Sequence, residues 1–516
     1  MKGFPQEILE HVFQYAHPEV DVFYGSHSES SSTWTLAAVS RSWRRIVLGS
    51  KSLWTRLLIN PKNFEAGFKD VQVVFRVCLA MSRTGNLPFH VRVGWEALPK
   101  VPGWGVTPLG FCNTFSHVFG PIFANASRMV SFADDCGSGA LWLLAFCEVP
   151  LPELRELKLD GTIADKWRED YCGLLDLDAP RLHTLILRNF DRPAEEDEED
   201  SDYEPTFLEH SQTLPWTQVT DLTLDNSAMR HGHRDHRDLK SWHPFDKFPN
   251  LTSLRLYTHP YDEPLWDVSD ASSPGHVGEW IKTLSIRAQD TCLISLLKST
   301  LRAPRLKELK IHLLYNSELD DESEDSEYWG DEVVDPTIGH ILGALRSCLN
   351  NLHSKSSLTV LALHGLGTIP ILDLVADLPA LHTLGVDHQL QDQRFLQWLT
   401  WPASSPEWPH TLPDLRSLTW KYDADMSLLE HDRIVKMIGS RLVQLAMSKP
   451  RLQQLRIVYE EVQRETLFQG GSGLVDLISS KGRALGASIT VETVCVQRTP
   501  LDQLDEPDWD ILAMYD

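Results

Sequence analysis

The sequence predicts an α/β protein in which a short all-α N-terminal module precedes an irregular horseshoe, a curved parallel sheet with helices on its outer side. Three observations favour this class. The first sixty residues carry apolar positions at helical spacing, a leucine-containing phrase recurs ten times from residue 150 onward, and helical patterns lie between its copies. With 516 residues the chain is too long for one ordinary core, which favours several domains or a repeat array.

The charge of the chain excludes several classes of partner. It has 72 acidic and 48 basic residues, a net charge of −24, which disfavours both nucleic acid and an anionic membrane surface as partners. No stretch approaches the roughly 20 apolar residues that cross a bilayer. The opening MKGFPQEILEHVF carries charges too early for a signal peptide. We therefore expect a protein of the cytoplasm and/or the nucleus.

The sequence shows no pattern that supports catalysis or metal binding. The eight cysteines are widely and unevenly spaced, which indicates reduced thiols rather than a disulfide framework. Four histidines lie close together at 231–243, but the Gly, Arg and Asp residues among them indicate a flexible loop. No nucleophile stands in a G-x-S-x-G or similar setting. We expect no enzyme activity, no cofactor and no metal.

The N-terminal module begins with a helix. Pro5 occupies a position that favours a first helical turn, residues 17–33 interrupt the pattern as a loop, and Ser32 or Thr33 is expected to cap a second helix. One face of the first helix carries Ile8, Leu9, Val12, Phe13 and Ala16. One face of the second carries Leu36, Val39, Trp43, Ile46 and Val47, and a further apolar group consists of Leu53, Trp54, Leu57 and Leu58.

A helical unit of this size buries little surface when it is alone. Apolar residues therefore remain exposed on it, and such a patch usually marks a partner. The alternative is that the unit is a helical cap on the repeats that follow it.

Two strings in this module, FPQEILEHVF and LAAVSRSWRRIVLGSKSLW, resemble the F-box family. The resemblance covers about residues 4–59, and its layout is similar to the F-box proteins abundant in mushroom-forming fungi. Phe4 stands where the family usually has Leu, and the loop at 17–33 is longer than usual and lacks the common Asp-Leu. The positions that match the family pattern are Pro5, Glu7, Ile8, Leu9, Phe13, Val39, Trp43, Arg44, Leu53 and Trp54.

This resemblance implies a function in which other subunits perform the chemistry. In the family the helices insert into a Skp-type adaptor, which joins a cullin scaffold and its ubiquitin ligase machinery. The implied adaptor contacts are Pro5, Ile8, Leu9, Val12, Leu36, Val39, Trp43 and Trp54.

The recurring phrase is Pro-x-Leu-x-x-Leu-x-(Leu/Ile/Val). Seven copies keep the proline: PELRELKL (152–159), PRLHTLIL (180–187), PNLTSLRL (249–256), PRLKELKI (304–311), PALHTLGV (379–386), PDLRSLTW (413–420) and PRLQQLRI (450–457). Three lack it: VTDLTL (219–224), IKTLSI (281–286) and LTVLAL (358–363).

The spacing of the copies is that of leucine-rich repeats. Their first apolar positions are 23 to 37 residues apart, with one gap of 52 that contains the acidic insertion 317–335; a second insertion, 191–205, lies in a gap of 37. Alternate residues of each short strand point to a shared core, so neighbouring repeats must stack. The alternative is an ordinary α/β domain that is rich in leucine.

These patterns divide the chain into four parts: 1–60, the F-box; 61–150, a helical linker with weak first repeats; 151–495, the repeat domain; and 496–516, an acidic tail. In the linker we predict strands at 89–93 and 128–132 and helices at about 67–83 and 109–123. Between the repeats, helices are predicted at 291–301, 337–349, 371–378 and 431–447.

The residues between the inward leucines face outward and are often basic. We hypothesise that this face binds an acidic or phosphorylated target segment through Arg255, Lys310, Arg416 and Arg456; the alternative is an ordinary solvated face. As a whole the chain is expected to be a substrate-recognition subunit of an SCF-type ubiquitin ligase with an unidentified target protein. A repeat scaffold without ubiquitin transfer, or a hydrolase within the poorly patterned residues 95–150, are the alternatives.

Overall fold

The structure is a computed structural model, and the described part falls into two compact units, Met1–Leu251 and Thr252–Asp516. No described helix is both long enough and apolar enough to cross a membrane. The described residues are 5–16, 20–21, 33–59, 70–94, 118–135, 150–160, 177–188, 216–225, 248–257, 280–288, 303, 305–313, 336–351, 357–364, 372–375, 378–387, 393–400, 412, 414–421, 428–442, 452–460, 473–485 and 489–496.

The N-terminal module contains three α-helices and a 3₁₀ turn: α1 (Gln6–Ala16), α2 (Thr33–Val39), α3 (Arg41–Gly49) and Lys51–Trp54. The prediction of one continuous second helix is wrong, because Ser40 interrupts it with extended backbone (φ −158°, ψ 163°). The Trp43 N–H donates to Ser40 Oγ at 3.1 Å, so Ser40 caps α3. Thr33 is the first residue of α2 rather than its cap.

Part of the predicted loop at 17–33 is a strand. Residues Val20–Asp21 (β1) pair in parallel with Leu57–Leu58 of β2 (Arg56–Ile59), and β2 pairs in parallel with the next strand along the chain. The parallel sheet therefore begins inside the N-terminal module, and residue 60 is not a boundary of the sheet.

The described residues of the first unit form seven parallel strands, each paired with the next in chain order. The strands predicted at 89–93 and 128–132 are confirmed, as is the first linker helix, which is α4 (Asp70–Thr84). A helix α5 covers 118–123, and 109–117 lie outside the described residues. The remaining strands are β3 (Phe89–Val93), β4 (Met129–Asp134), β5 (Glu156–Asp160), β6 (Thr184–Arg188) and β7 (Asp221–Asp225).

The end of α4 is held against β4 by one arginine. Gly85 ends the helix with φ of +60°, a conformation that side-chain-bearing residues rarely adopt. Arg128 Nη1 donates to the Gly85 carbonyl at 2.5 Å and to the Leu87 carbonyl at 2.7 Å, while its Nη2 donates to Asn125 Oδ1 at 2.8 Å. Two of these hydrogen bonds satisfy main-chain carbonyls of the turn that follows α4, and they tie this turn to the residues just before β4.

Within the part of the second unit that the structure describes, eight parallel strands are again paired in chain order. They are β8 (Ser253–Tyr257), β9 (Thr283–Ala288), β10 (Glu308–Leu313), β11 (Val360–His364), β12 (Thr383–Asp387), β13 (Ser417–Lys421), β14 (Gln454–Glu460) and β15 (Thr490–Val496). Its helices are α6 (Pro336–Asn351), α7 (Leu372–Val375), α8 (Gln393–Leu399), α9 (Leu428–Leu442) and α10 (Leu474–Ala484).

All ten copies of the leucine phrase form strands, and the predicted α/β repeat class is confirmed. The central leucine of each phrase is aligned with that of its neighbours and is buried; in the second unit these are Leu254, Leu284, Leu309, Leu361, Leu384, Leu418 and Leu455. The helices predicted at 337–349, 371–378 and 431–447 correspond to α6, α7 and α9. Leu378 lies outside α7, and residues 443–447 lie outside the described residues. Residues 291–301, both acidic insertions, the histidines at 231–243 and 497–516 lie outside the described residues.

A main-chain ladder joins the repeats just before each strand. The Thr252 carbonyl accepts from the N–H groups of Lys282 and Thr283, at 2.8 and 3.1 Å. The carbonyls that repeat this double acceptance along the second unit are those of Lys282, Lys307, Thr359, His382 and Arg416. Because only backbone atoms take part, the strands keep their register even though the repeats differ in length and side chains.

Candidate functional site

Helix α1 has an inner and an outer apolar face. On the inner face Phe13 is buried, with its ring centroid 4.7 Å from that of Trp43. On the outer face Ile8 is 47% exposed, Val12 52% and Tyr15 93%. These three residues follow the i, i+4, i+7 spacing of a single helical stripe. The helix therefore offers an apolar stripe to solvent while it packs into the module.

The turn between α2 and α3 exposes a further apolar residue. Val39, the last residue of α2, is 58% exposed, whereas Leu36 and Ala37 of the same helix are buried. Arg44 Nε donates to the Ala37 carbonyl at 2.9 Å and so ties α3 to the end of α2. Val39 is thereby held on a fixed turn.

Trp54 is the centre of the module rather than part of its surface. Its side chain is fully buried, its Nε1–H donates to the Val47 carbonyl at 2.8 Å, and its ring meets Trp34 edge-on at 4.8 Å. The Arg83 guanidinium lies 5.7 Å from the ring centroid and also donates to the Leu48 carbonyl. This packing joins α3 to α4.

The eight residues predicted to contact an adaptor thus fall into exposed, partly exposed and buried groups. Pro5, Ile8, Val12 and Val39 are exposed, and Leu9 and Trp43 are partly exposed. Leu36 and Trp54 have no surface to offer, so their assignment as contacts is corrected to core residues. Tyr15 was missed, although its helical spacing from Ile8 and Val12 could have revealed it. We call Ile8, Val12, Tyr15 and Val39 the N-terminal apolar surface.

A second candidate site lies on the outward face of the strands of the second unit. The register aligns one residue of each strand in a single row: Arg255, Ser285, Lys310, Ala362, Gly385, Thr419, Arg456 and Glu492. We call it the basic row. Three of the four predicted target-binding residues share it. Arg416 does not, because it precedes β13 and belongs to the ladder that also contains Lys282 and Lys307.

The cations of the basic row influence one another. Burial lowers the pKa of Lys310, Glu308 opposes this effect, and Arg255 and Arg456 both lower the pKa further by charge repulsion. Arg456 Nε also lies 3.9 Å from Glu492 Oε2. The row is therefore a group of interacting positive charges with one acidic end.

The middle of the basic row consists of short side chains. Ala362, Gly385 and Thr419 are buried and stand between Lys310 and Arg456. A Cβ added at Gly385 would lie 3.0 Å from the Ala362 Cβ, closer than nearly all real contacts of this kind. These buried residues separate the two longer basic side chains along the row.

In the first unit, two cations aligned by the register, Arg92 and Lys158, both pair with one carboxylate, which lies just beyond the end of β4. Asp135 accepts from Arg92 Nε at 2.6 Å through Oδ2 and pairs with Lys158 Nζ at 2.5 Å through Oδ1. Burial alone would raise the pKa of Asp135, but Lys158 and Arg92 outweigh it and hold the pKa below its ordinary value. The carboxylate thus bridges cations from β3 and β5.

Comparison with known proteins gives one match within this module. The family model described as F-box-like matches residues 3–60. Among solved structures, a chain in the crystal structure of the Rad7 and Elc1 complex in yeast is similar, at 14% sequence identity and a TM-score of 0.33, over 74% of this chain and 87% of that one. No curated protein gives a significant match. The chain therefore carries an F-box-like domain at its N-terminus, and two helices of that domain, α1 and α2, present the N-terminal apolar surface.

Proposed function

We propose that this chain is a substrate-recognition subunit of an SCF-type ubiquitin ligase. The F-box-like domain binds a Skp-type adaptor, the adaptor joins a cullin scaffold, and the repeat strands bind the target protein. The chain needs no catalytic residue for this role, since holding a target beside the ubiquitin carrier raises the effective concentration of the two reactants.

The N-terminal apolar surface carries the proposal. Ile8, Val12 and Val39 each expose about half of their side chain in a small module whose core is already filled by Phe13 and Trp54. Covering each of these residues would contribute about 1 kcal/mol. An apolar surface on an otherwise packed helical module is typical of a protein-binding site, and its place in a match to F-box-like domains favours an adaptor as the partner.

The decisive experiment is capture of a purified Skp-type adaptor, alone and with its cullin, by the full chain. We expect Val12→Asp and Val39→Asp to weaken adaptor capture by more than about tenfold, because each places a charge in an apolar contact without removing core packing. The matched control is Leu485→Asp. This residue is also a partly exposed apolar residue, but it lies in the second unit, so capture should not change.

The outcomes separate the candidate functions. Adaptor together with cullin supports the ligase, whereas adaptor without cullin supports a repeat scaffold that does not transfer ubiquitin. No adaptor binding by the unaltered chain would contradict both. The cytoplasmic or nuclear location, the absence of enzyme activity and the likeness to F-box proteins of mushroom-forming fungi stay predictions alongside this proposal.

A further inference from the structure

We propose that four exposed residues just before β9 and β10 bind a short acidic segment of the target, in which an Asp or Glu carboxylate pairs with Arg305 and a neighbouring apolar side chain contacts Trp280. This inference rests on the proposed function, because it names the chemical class of the target. The four residues, which we call the Trp280 surface, are Trp280, Lys282, Arg305 and Lys307.

Two neighbouring repeats bring these residues together. Trp280 and Arg305 each lie three residues before the first residue of β9 and β10, and those first residues are paired in the register. Lys282 and Lys307 are aligned in the same way, and the Lys307 N–H donates to the Lys282 carbonyl at 2.8 Å. In each repeat a buried residue separates the two exposed ones. Because neighbouring strands are about 5 Å apart, the four side chains share one small patch.

The contact between Trp280 and Arg305 leaves the arginine charged. The Arg305 guanidinium carbon lies 4.1 Å from the centroid of the Trp280 ring, and the tryptophan is still 48% exposed. An aromatic ring attracts a cation but carries no charge that would neutralise it. The guanidinium N–H groups lie in the plane of that group, so they can still donate to an acceptor at its edge.

The first unit fills the corresponding positions with an ion pair. Glu153 and Arg181 lie three residues before β5 and β6, and Arg181 Nη1 donates to Glu153 Oε2 at 2.5 Å. In the second unit Trp280 stands where the first has its glutamate, and Arg305 stands where the first has its arginine. A Glu or Asp of the target would therefore supply to Arg305 the carboxylate that Glu153 supplies within the chain.

The cations of the Trp280 surface have no acidic partner among the residues that the structure describes. No described carboxylate forms an ion pair with Lys282, Arg305 or Lys307. The basic row differs, because Arg255 and Lys310 already interact with other groups and the middle of that row is buried. An exposed patch with three unpaired cations, in a chain of net charge −24, is complementary to an acidic segment.

A carboxylate suits this surface better than a phosphate group. Glu308 directly follows Lys307 and is half-buried, so it opposes a phosphate of nearly two charges more strongly than a carboxylate of one. The exposed part of the Trp280 ring offers an apolar contact beside the carboxylate, and Trp and Arg often dominate protein-binding sites. A segment with acidic residues on both sides of an apolar residue would use both features.

The test measures binding of short fluorescein-labelled peptides to the full chain by anisotropy at low salt. The probe has one Leu between two Glu residues, with Gly and Ser on either side. We expect it to bind at least about tenfold more tightly than the same peptide with Gln in place of Glu, because the charge-assisted hydrogen bonds are lost in the amide version. Replacing its Leu with Ser should weaken binding about threefold or more, because the apolar contact with the indole is lost.

Two further ligands are measured beside the probe. One is a peptide in which a phosphoserine and a serine replace the two Glu residues, which keeps nearly the same charge. The other is an oligonucleotide of random sequence. Tighter binding of either, no preference over the Gln peptide, or no effect of replacing Leu would overturn the proposal.

The first variant restores the ion pair of the first unit. Trp280→Glu places a carboxylate beside Arg305, which should then pair within the chain, so the preference for the acidic peptide should fall by at least about tenfold. Trp280→Phe is the matched control, in which a ring still faces the guanidinium, and it should keep the preference within about threefold. A preference that survives Trp280→Glu, or that is lost equally in both variants, would contradict the assignment.

The second variant, Lys282→Glu/Lys307→Glu, reverses the two lysines of the surface and should also lose the preference. Its matched control is Arg433→Glu/Lys436→Glu, which makes the same change in net charge at two exposed cations of α9 and should keep the preference. Equal loss in the two double variants would mean that diffuse charge attracts the peptide, and would overturn the proposal, as would an unaffected Lys282→Glu/Lys307→Glu variant.

Adaptor capture is measured on the same proteins. If the unaltered chain captures the adaptor but shows no acidic preference, the inference on the target fails and the proposed function stands. If the acidic preference is present without adaptor capture, the binding of the acidic peptide stands, whereas the ligase role and the peptide's identity as its target fail.

Discussion

Gly385 lies where two neighbouring strands leave no room for a side chain. It lies on β12 beside Ala362 of β11, and a Cβ at this position would be 3.0 Å from the Ala362 Cβ and 3.4 Å from His364 Nε2. Neither strand can yield easily, because each is hydrogen-bonded to a neighbour on its other side. The glycine is required here by space.

We predict that Gly385→Ala destabilises the second unit by about 1 to 3 kcal/mol, the usual range for an overpacked site. Elsewhere, replacement of glycine by alanine at a compatible position stabilises a protein by about 0.5–1 kcal/mol, so the sign of the change is diagnostic. The measurement is the free energy of unfolding in denaturant, together with the rates of hydrogen exchange of the β11 and β12 amides.

The control for this prediction is the pair Ala362→Gly/Gly385→Ala, which moves the methyl group to the other strand. We expect it to recover much of the loss, because the close pair of Cβ atoms is gone. If the changes in the free energy of unfolding from the two single substitutions simply add in the pair, the close contact between these two positions is not the cause of the destabilisation.

At this same scale, the sequence could identify apolar residues but could not tell which of them lie inside the module. Leu36 and Trp54 were both predicted to contact an adaptor, yet both are buried. Tyr15 was overlooked because α1 packs through Phe13, and the stripe opposite that residue stays in solvent. Helical periodicity finds an apolar face, but the neighbouring helices decide which stripe they cover.

At the scale of elements, the strands with the leucine phrase were predictable, as were β3 and β4, whereas β1, β2 and β15 were not. Alternating inward leucines mark a strand directly, and all ten phrases form one. Three strands without the phrase, β1, β2 and β15, were missed because pairing with a neighbour, rather than their own pattern, makes them strands. The break at Ser40 was missed because apolar periodicity continues across it.

The Asp135 bridge between β3 and β5 predicts a pH dependence of the first unit. Its pKa is lowered in the folded chain, so its contribution to stability is present above the ordinary value of 3.8 and is lost as the pH falls through the folded value. We expect Asp135→Asn to lower the melting temperature at neutral pH and to make it less sensitive to acid. The measurement is the difference in melting temperature between the two proteins at a series of pH values from neutral to acidic.

Taking this difference removes the titration of the other carboxylates, which both proteins share. Asn is close to Asp in size and can still hydrogen-bond, so Arg92 and Lys158 lose only the charge of their partner. A constant difference in melting temperature across the whole pH range would contradict the assignment.

At the scale of the molecule, the proposed adaptor contact acts through burial of apolar side chains rather than through charge. The N-terminal apolar surface consists of Ile8, Val12, Tyr15 and Val39, whose uncharged side chains are exposed. We predict that raising salt from about 0.05 to 0.5 M changes adaptor affinity by less than about threefold. Titrations of the adaptor at the two salt concentrations would check this, and a tenfold loss of affinity at high salt would contradict it.

The pairing of β1, β2 and β3 has a mechanical consequence. Helix α3 and the 3₁₀ turn lead from the helices that carry the N-terminal apolar surface to β2. Strand β1, between α1 and α2, pairs with β2, and β2 pairs along its length with β3. These helices cannot rotate as a group relative to the first repeats unless main-chain hydrogen bonds between the strands break. Any reorientation of a captured adaptor relative to β3–β7 would therefore require local unfolding, and whatever those strands hold moves with the adaptor as one body.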